Sequence, residues 1–142
     1  MKVLLTFLVL SGGLYAQTPT PRASLSDQRL CADQAQKKGF NEYLQSLPEK
    51  DRRDSIITSL NHFDPKLTVC YVALHNFFND GDATGEMMDV SDAFEGTLHA
   101  SFVGRVNAKY EAEVTICDVD DEKCHSAQEF RELVRKKFGI SL

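Results

Sequence analysis

The stretch Phe63-Asp64-Pro65-Lys66-Leu67-Thr68-Val69-Cys70-Tyr71-Val72-Ala73-Leu74 constrains this chain more than any other. The turn signal Asp64-Pro65-Lys66, in which proline pre-sets φ, leads into a run of strand-forming residues that extends to Phe78. Alternation places Leu67, Val69, Tyr71, Ala73, His75 and Phe77 on one face, and Thr68, Cys70, Val72, Leu74 and Phe78 on the other. Apolar residues on both faces predict a central strand with something packed on each side. Cys70, in mid-run, can tie that strand to another element. A second period-two segment precedes the turn, with Ile56, Thr58, Leu60 and His62 facing one way and Ile57, Ser59, Asn61 and Phe63 the other.

The N-terminus has the order of an export signal. Met1-Lys2 is followed by apolar Val3 to Leu10, a Ser11-Gly12-Gly13 break and Ala16 ahead of Gln17. The apolar core is too short to span a bilayer, which takes roughly 20 apolar residues. Residues 1–16 therefore read as a signal peptide, 17–23 as a proline-spaced lead and 24–142 as a single domain. That places the protein in the periplasm or the medium, with no membrane insertion after cleavage. A net charge of -5 without a basic block argues against nucleic acid and anionic membranes as partners.

Export makes two disulfides the simplest use of Cys31, Cys70, Cys117 and Cys124, although three pairings are formally possible. We favour Cys31–Cys70 with Cys117–Cys124, the second closing the short loop Asp118 to Lys123. On chain entropy the short loop contributes about 2.5 kcal/mol and the long one about 4 kcal/mol. A zinc site of Cys117, Cys124 and His125 is the competing reading. An oxidising compartment and the lack of paired short spacings count against it.

Elsewhere the chain reads as helix, strands, helix. Ser24 to Asp27 offers caps for a helix on which Leu30, Cys31, Ala35, Tyr43, Leu44 and Leu47 recur near helical spacing. Gly39 predicts a weakened helix or a break, and Pro48 ends it. The mixed charges of Glu49 to Asp54 read as a solvated loop. Residues 79–85 read as a loop that half-matches a calcium site through Asp80, Asp82, Thr84, Gly85 and Asp89. Ser91 stands where the bidentate acid belongs, so no metal is expected. Residues 86–94 and 97–104 form a hairpin about Glu95-Gly96, with Val90, Asp92 and Phe94 on one face and Leu98, Ala100 and Phe102 on one face of the return strand. Arg105 to Tyr110 connects to a half-buried strand on which Ala112, Val114 and Ile116 alternate with Glu111, Glu113 and Thr115. Ser126-Ala127-Gln128-Glu129 is a capping box opening a helix with Phe130, Leu133, Val134 and Phe138 on one face, closed by Gly139. The expected class is α+β: an antiparallel sheet of about five strands flanked by an N-terminal and a C-terminal helix, disulfide-stapled, with the helices segregated to one face or end.

Certain of these residues carry a resemblance. They are Cys31 with Gln34-Ala35; Phe63 to Leu67 leading to Cys70-Tyr71; Asp92 to Gly96 with Ala100; Cys117; Cys124-His125-Ser126; and Glu129-Phe130-Leu133-Val134. In order and spacing the set resembles a group of small, exported, four-cysteine bacterial proteins of uncharacterised function. The resemblance implies export, a bacterial origin and the favoured cysteine pairing, and it brings no activity.

No phosphate-cradling glycine loop, dinucleotide fingerprint or nucleophile elbow is present, and no cofactor is expected. A hydrolase reading pairs His99 with Asp92 across the hairpin and takes Ser101 as nucleophile, since simple alternation puts His99 and Ser101 on one face. Asp92 and Glu95 also form a carboxylate pair, but acids beside a turn usually build the turn. The favoured reading is a binding module of the cell envelope with an unknown protein partner. Its contacts would come from the loops at 79–85 and 104–110 and from Phe77-Phe78. A subunit that adds a strand to a sheet edge is the third possibility.

Overall fold

The computed structural model describes residues 23–80, 83–106, 109 and 112–142. The expected signal peptide and residues 17–22 of the lead lie outside the described residues. Six strands form one antiparallel sheet in sequence order: β1 (Ser55–Asp64), β2 (Val69–Asp80), β3 (Ala83–Asp92), β4 (Leu98–Val106), β5 (Ala112–Val119) and the two-residue β6 (Glu122–Lys123). Before the sheet come α1 (Leu25–Gln34), a π-helical stretch over Ala35–Asn41, α2 (Glu42–Ser46) and the single-turn α3 (Glu49–Arg53). After it comes α4 (Ala127–Phe138). The class is α+β, as expected. No described helix is long and apolar enough to cross a membrane.

The helices lie on opposite faces of the sheet, not segregated to one, because β2 is apolar on both sides. Tyr71 and Ala73 join Met88, Val90, Ala100, Phe102 and Val119 under Phe130, Val134 and Phe138 of α4, which forms the main core. Cys70 and Val72 point the other way, into a smaller core with Cys31, Ala35 and Ala93. The disulfides are Cys31–Cys70 and Cys117–Cys124, with Cα atoms 5.3 and 5.0 Å apart. The first ties α1 to β2. The second closes the β5–β6 hairpin and occupies both sulfurs of the alternative zinc site.

The N-terminal helix begins as its residues dictate. The Ser24 hydroxyl accepts from Asp27 N at 3.1 Å, and the Asp27 carboxylate accepts from Ser24 N at 3.2 Å. Its packing is thin. Among α1 residues only Cys31 is buried, and Leu30, expected on the apolar face, is 56% exposed. At Gly39 the helix neither breaks nor simply weakens; it widens. A Cβ on Gly39 would fall 2.6 Å from Val72 Cγ2, so the missing side chain lets the helix backbone lie directly on β2. Residues 49–53, read as loop, form a helical turn behind Pro48. It remains solvated, with Glu49 and Arg53 paired at 3.4 Å.

Two β-bulges break the simple alternation. Val90 pairs with Ala100 but Ser91 with Leu98, so His99 is an extra residue in β4. Val103 pairs with Ile116 but Gly104 with Val114, so Thr115 is an extra residue in β5. Val114 and Ile116 consequently lie on opposite faces, and Leu98 leaves the face of Ala100 and Phe102 to stand 58% exposed. Phe94 belongs to the β3–β4 turn, where it is 40% exposed. Gly96 there has φ +74°, as the hairpin required.

The loop expected at 79–85 is much shorter. β2 and β3 stay paired to Asp80↔Ala83, leaving only residues 81–82, outside the described residues, between them. Asp89 stands six residues along β3 from Ala83, about 20 Å at strand spacing, so it cannot close a calcium loop with Asp80.

Candidate functional site

The paired strand ends Asp80↔Ala83 and Val106↔Ala112 lie at the same end of the sheet as the N-terminus of α4. Between them lies an open cleft of about 430 Å³. Phe102 and the side-chain-free Gly104 lie in it. Phe77 edges one side, and Val106, Val114 and Ala127 line it further. Register explains the grouping: Phe77↔Glu86, Glu86↔Gly104 and Gly104↔Val114 form one row across β2 to β5 on the α4 face. Phe77 and Val114 in this row stand at 45 and 39% exposure, and Val106, paired with Thr84 and Ala112, at 38%.

Two carboxylates line the cleft as well, Glu86 and the exposed Glu113, and Glu86 is held in place by side-chain partners. Glu86 Oε1 takes His75 Nε2 at 2.7 Å and the Arg131 guanidinium of α4. The His75 ring also lies 4.2 Å from the Phe77 ring. The Glu86 side chain is 19% exposed, and its Oε2 accepts no hydrogen bond among the described residues. The cleft therefore combines apolar groups with Glu86 as a fixed acceptor, and Arg105 and Glu113 at its lining, a combination that suits an apolar group carrying an N–H or O–H donor. His125 and Ser126, at the start of α4, lie across from it.

The opposite face carries a second polar cluster under α2. Asn76 Nδ2 donates to the Tyr43 hydroxyl at 3.0 Å, and the Ser101 hydroxyl donates to Asp89 Oδ1 at 2.6 Å. Burial pushes the Tyr43 pKa up, with the Asn76 hydrogen bond opposing and the Asp89 charge adding to it. Burial likewise raises the Asp89 carboxyl, against the pull of the Ser101 hydroxyl. Since α2 buries no residue of its own, the Tyr43–Asn76 bond serves as its anchor on the sheet.

Asp92, His99 and Ser101 are not brought together. The bulge turns His99 to the α4 face, where its ring lies 5.6 Å from Tyr71 and 5.7 Å from Phe138, with Nδ1 3.2 Å from Asp120. Ser101 faces away from α4, bonded to Asp89. The Asp92 carboxylate accepts from Phe94 N at 2.6 Å and Glu95 N at 2.9 Å, which makes it a builder of the turn. Phe77 does reach the candidate cleft. Phe78 turns to the other face, over Gly85 and 5.8 Å from the Arg105 guanidinium. Of the loops expected to present contacts, Thr84, Gly85, Gly104, Arg105 and Val106 line the cleft, whereas 81–82, 107–108 and 110 lie outside the described residues. Sequence reasoning missed Glu86 and Arg131. They are 45 residues apart, and only the placement of α4 joins them.

No family model, curated protein or solved structure matches this chain.

Proposed function

We propose that the protein is an exported binding module of the bacterial cell envelope, and that its cleft receives an apolar side chain of a partner protein. One observation carries this reading. The chain's own side chains leave open a hollow of about 430 Å³ edged by Phe77, with Glu86 held inside it by Arg131 and His75. A donor on the partner beside that apolar side chain would meet Oε2 of Glu86, which accepts no hydrogen bond among the described residues. Export is supported by the charged, apolar and small residues in order over 1–16, and by two disulfides, which persist in oxidising compartments. The resemblance to small exported four-cysteine bacterial proteins belongs with the same reading.

Val114 and Ile116 offer an internally controlled test, being two residues apart, 39 and 40% exposed, and on opposite faces. A benzophenone side chain is placed at each in turn and irradiated in the source envelope. A discrete adduct from position 114 alone, lost when Val106→Arg fills the cleft, is expected. Equal labelling from both positions, or from neither, would sink the proposal.

A further inference from the structure

The two edges of the sheet are treated differently. β6 is two residues long and consists of the exposed, charged pair Glu122-Lys123. β1 is ten residues long and pairs with β2 over its whole length without a register shift. From Ser55 to Phe63 it has no charge, no proline and no glycine. Edges are ordinarily blunted by shortness, charge, proline or a bulge. β6 uses the first two; β1 uses none. On the face away from α1, Ile56 and Leu60 are 70 and 48% exposed, since α4 packs on β4 and β5.

We propose that β1 is the edge at which a second copy of this chain pairs antiparallel, joining two six-stranded sheets about a two-fold axis at Thr58. The register follows from the sequence of the strand. Pairing a strand with its own copy about a two-fold keeps the sum of paired residue numbers constant, and that sum is even when outward-pointing backbone groups meet outward-pointing ones. With Thr58 on the axis, Ile56 faces Leu60 of the second copy, Leu60 faces Ile56, and Asp54 faces His62. Moving the axis to Ile57 sets Leu60 against Asp54, and moving it to Ser59 sets Ile56 against His62. Only the Thr58 register gives both exposed apolar residues, Ile56 and Leu60, an apolar partner; an axis at Leu60 sets Ile56 against Asp64. The opposite face has room as well. α1 packs against the Phe63 end of β1 and, through Cys31, against β2; with Thr58 on the axis the two Phe63 ends lie about 34 Å apart along the strands, so the two copies of α1 sit at opposite ends of the joint and do not collide. This inference uses β1 and not the cleft, so either can fail without the other.

The test is sedimentation equilibrium of the purified, disulfide-intact chain over a concentration series. It compares wild type, I56K, L60E and the I56K/L60E double variant. Both positions are exposed, so the monomer fold is retained, and circular dichroism at the lowest concentration checks it. Wild type is expected to dimerise, and each single change to weaken the dimer about tenfold or more. The double variant is expected to restore it, because its opposite charges face each other twice across the axis. T58C should also give a homodimer cross-linked through position 58 on mild oxidation. A monomer at every concentration overturns the proposal, whether residues before Ala23 or another protein's strand covers β1. So does a dimer that the single changes leave intact, or a double variant that fails to recover.

Discussion

Gly39 shows how one absent side chain decides where a helix lies. Alanine would gain helix propensity of about 1 kcal/mol but would drive its Cβ into Val72, which is 1% exposed and β-branched. Overpacking of this kind costs about 1–3 kcal/mol, so Gly39→Ala is expected to lower the urea midpoint. Adding Val72→Ala should recover part of the loss; a midpoint at or above wild type for Gly39→Ala would contradict the packing. Asp89 makes a pH prediction. Its pKa is raised in the fold by burial, so the folded chain holds that proton more tightly than the unfolded chain. Its contribution to stability is fully present below the ordinary carboxylate value of about 4 and is lost as pH rises through the raised folded value. Asp89→Asn should therefore melt above wild type at neutral pH, with the gap closing as pH falls below about 4. A gap independent of pH would exclude this origin.

Among the elements, legibility followed local physics. The C-terminal helix was readable in all but one bond: Ser126 accepts from Glu129 N at 3.1 Å, Phe130, Val134 and Phe138 are buried, and Gly139 closes the helix with φ +70°, but the Glu129 carboxylate accepts from His125 N at 2.9 Å and not from Ser126 N. Its signals are local and agree with one another. The strands β1 and β2 were nearly as plain and their register pairs the two runs without a slip, but Leu67 and Thr68, read as strand, belong to the turn, and β2 begins at Val69. β4 and β5 were misread in one respect. A bulge inserts a residue without any composition cue, so the faces of His99, Leu98 and Val114 could not be obtained from alternation. The two disulfides act on elements of unequal self-sufficiency. α1 buries only Cys31 and has little else to hold it, whereas β5 carries Val119 into the main core. Replacing Cys31 and Cys70 by alanine should cost about 4 kcal/mol, against about 2.5 kcal/mol for the Cys117–Cys124 pair. Hydrogen exchange should then rise through 25–46 while α4 and its strands stay protected. A uniform rise would show that α1 is integral to the main core.

At the scale of the whole molecule, one sheet carries two faces with different duties. The α4 side holds the main core and the cleft; the α1 side is a thinner layer stapled by Cys31–Cys70. If β1 pairs with a second copy, the melting temperature should rise with protein concentration, since association stabilises only the folded chain. In I56K it should not. Phe63 to Leu74 remains the organising stretch, with a role that is architectural. By itself the sequence determined the helix starts, the turn at Asp64-Pro65 and the two-faced character of β2, because each depends on neighbours in the chain, and it favoured the α+β class and the observed cysteine pairing without excluding the alternatives. The tertiary structure decided the rest: helices on opposite faces, bulges that separate His99 from Ser101, and the joining of Phe77, Glu86 and Arg131 at one cleft. Those depend on which distant segments share a row of the sheet, and register across strands is set by the packing of the whole.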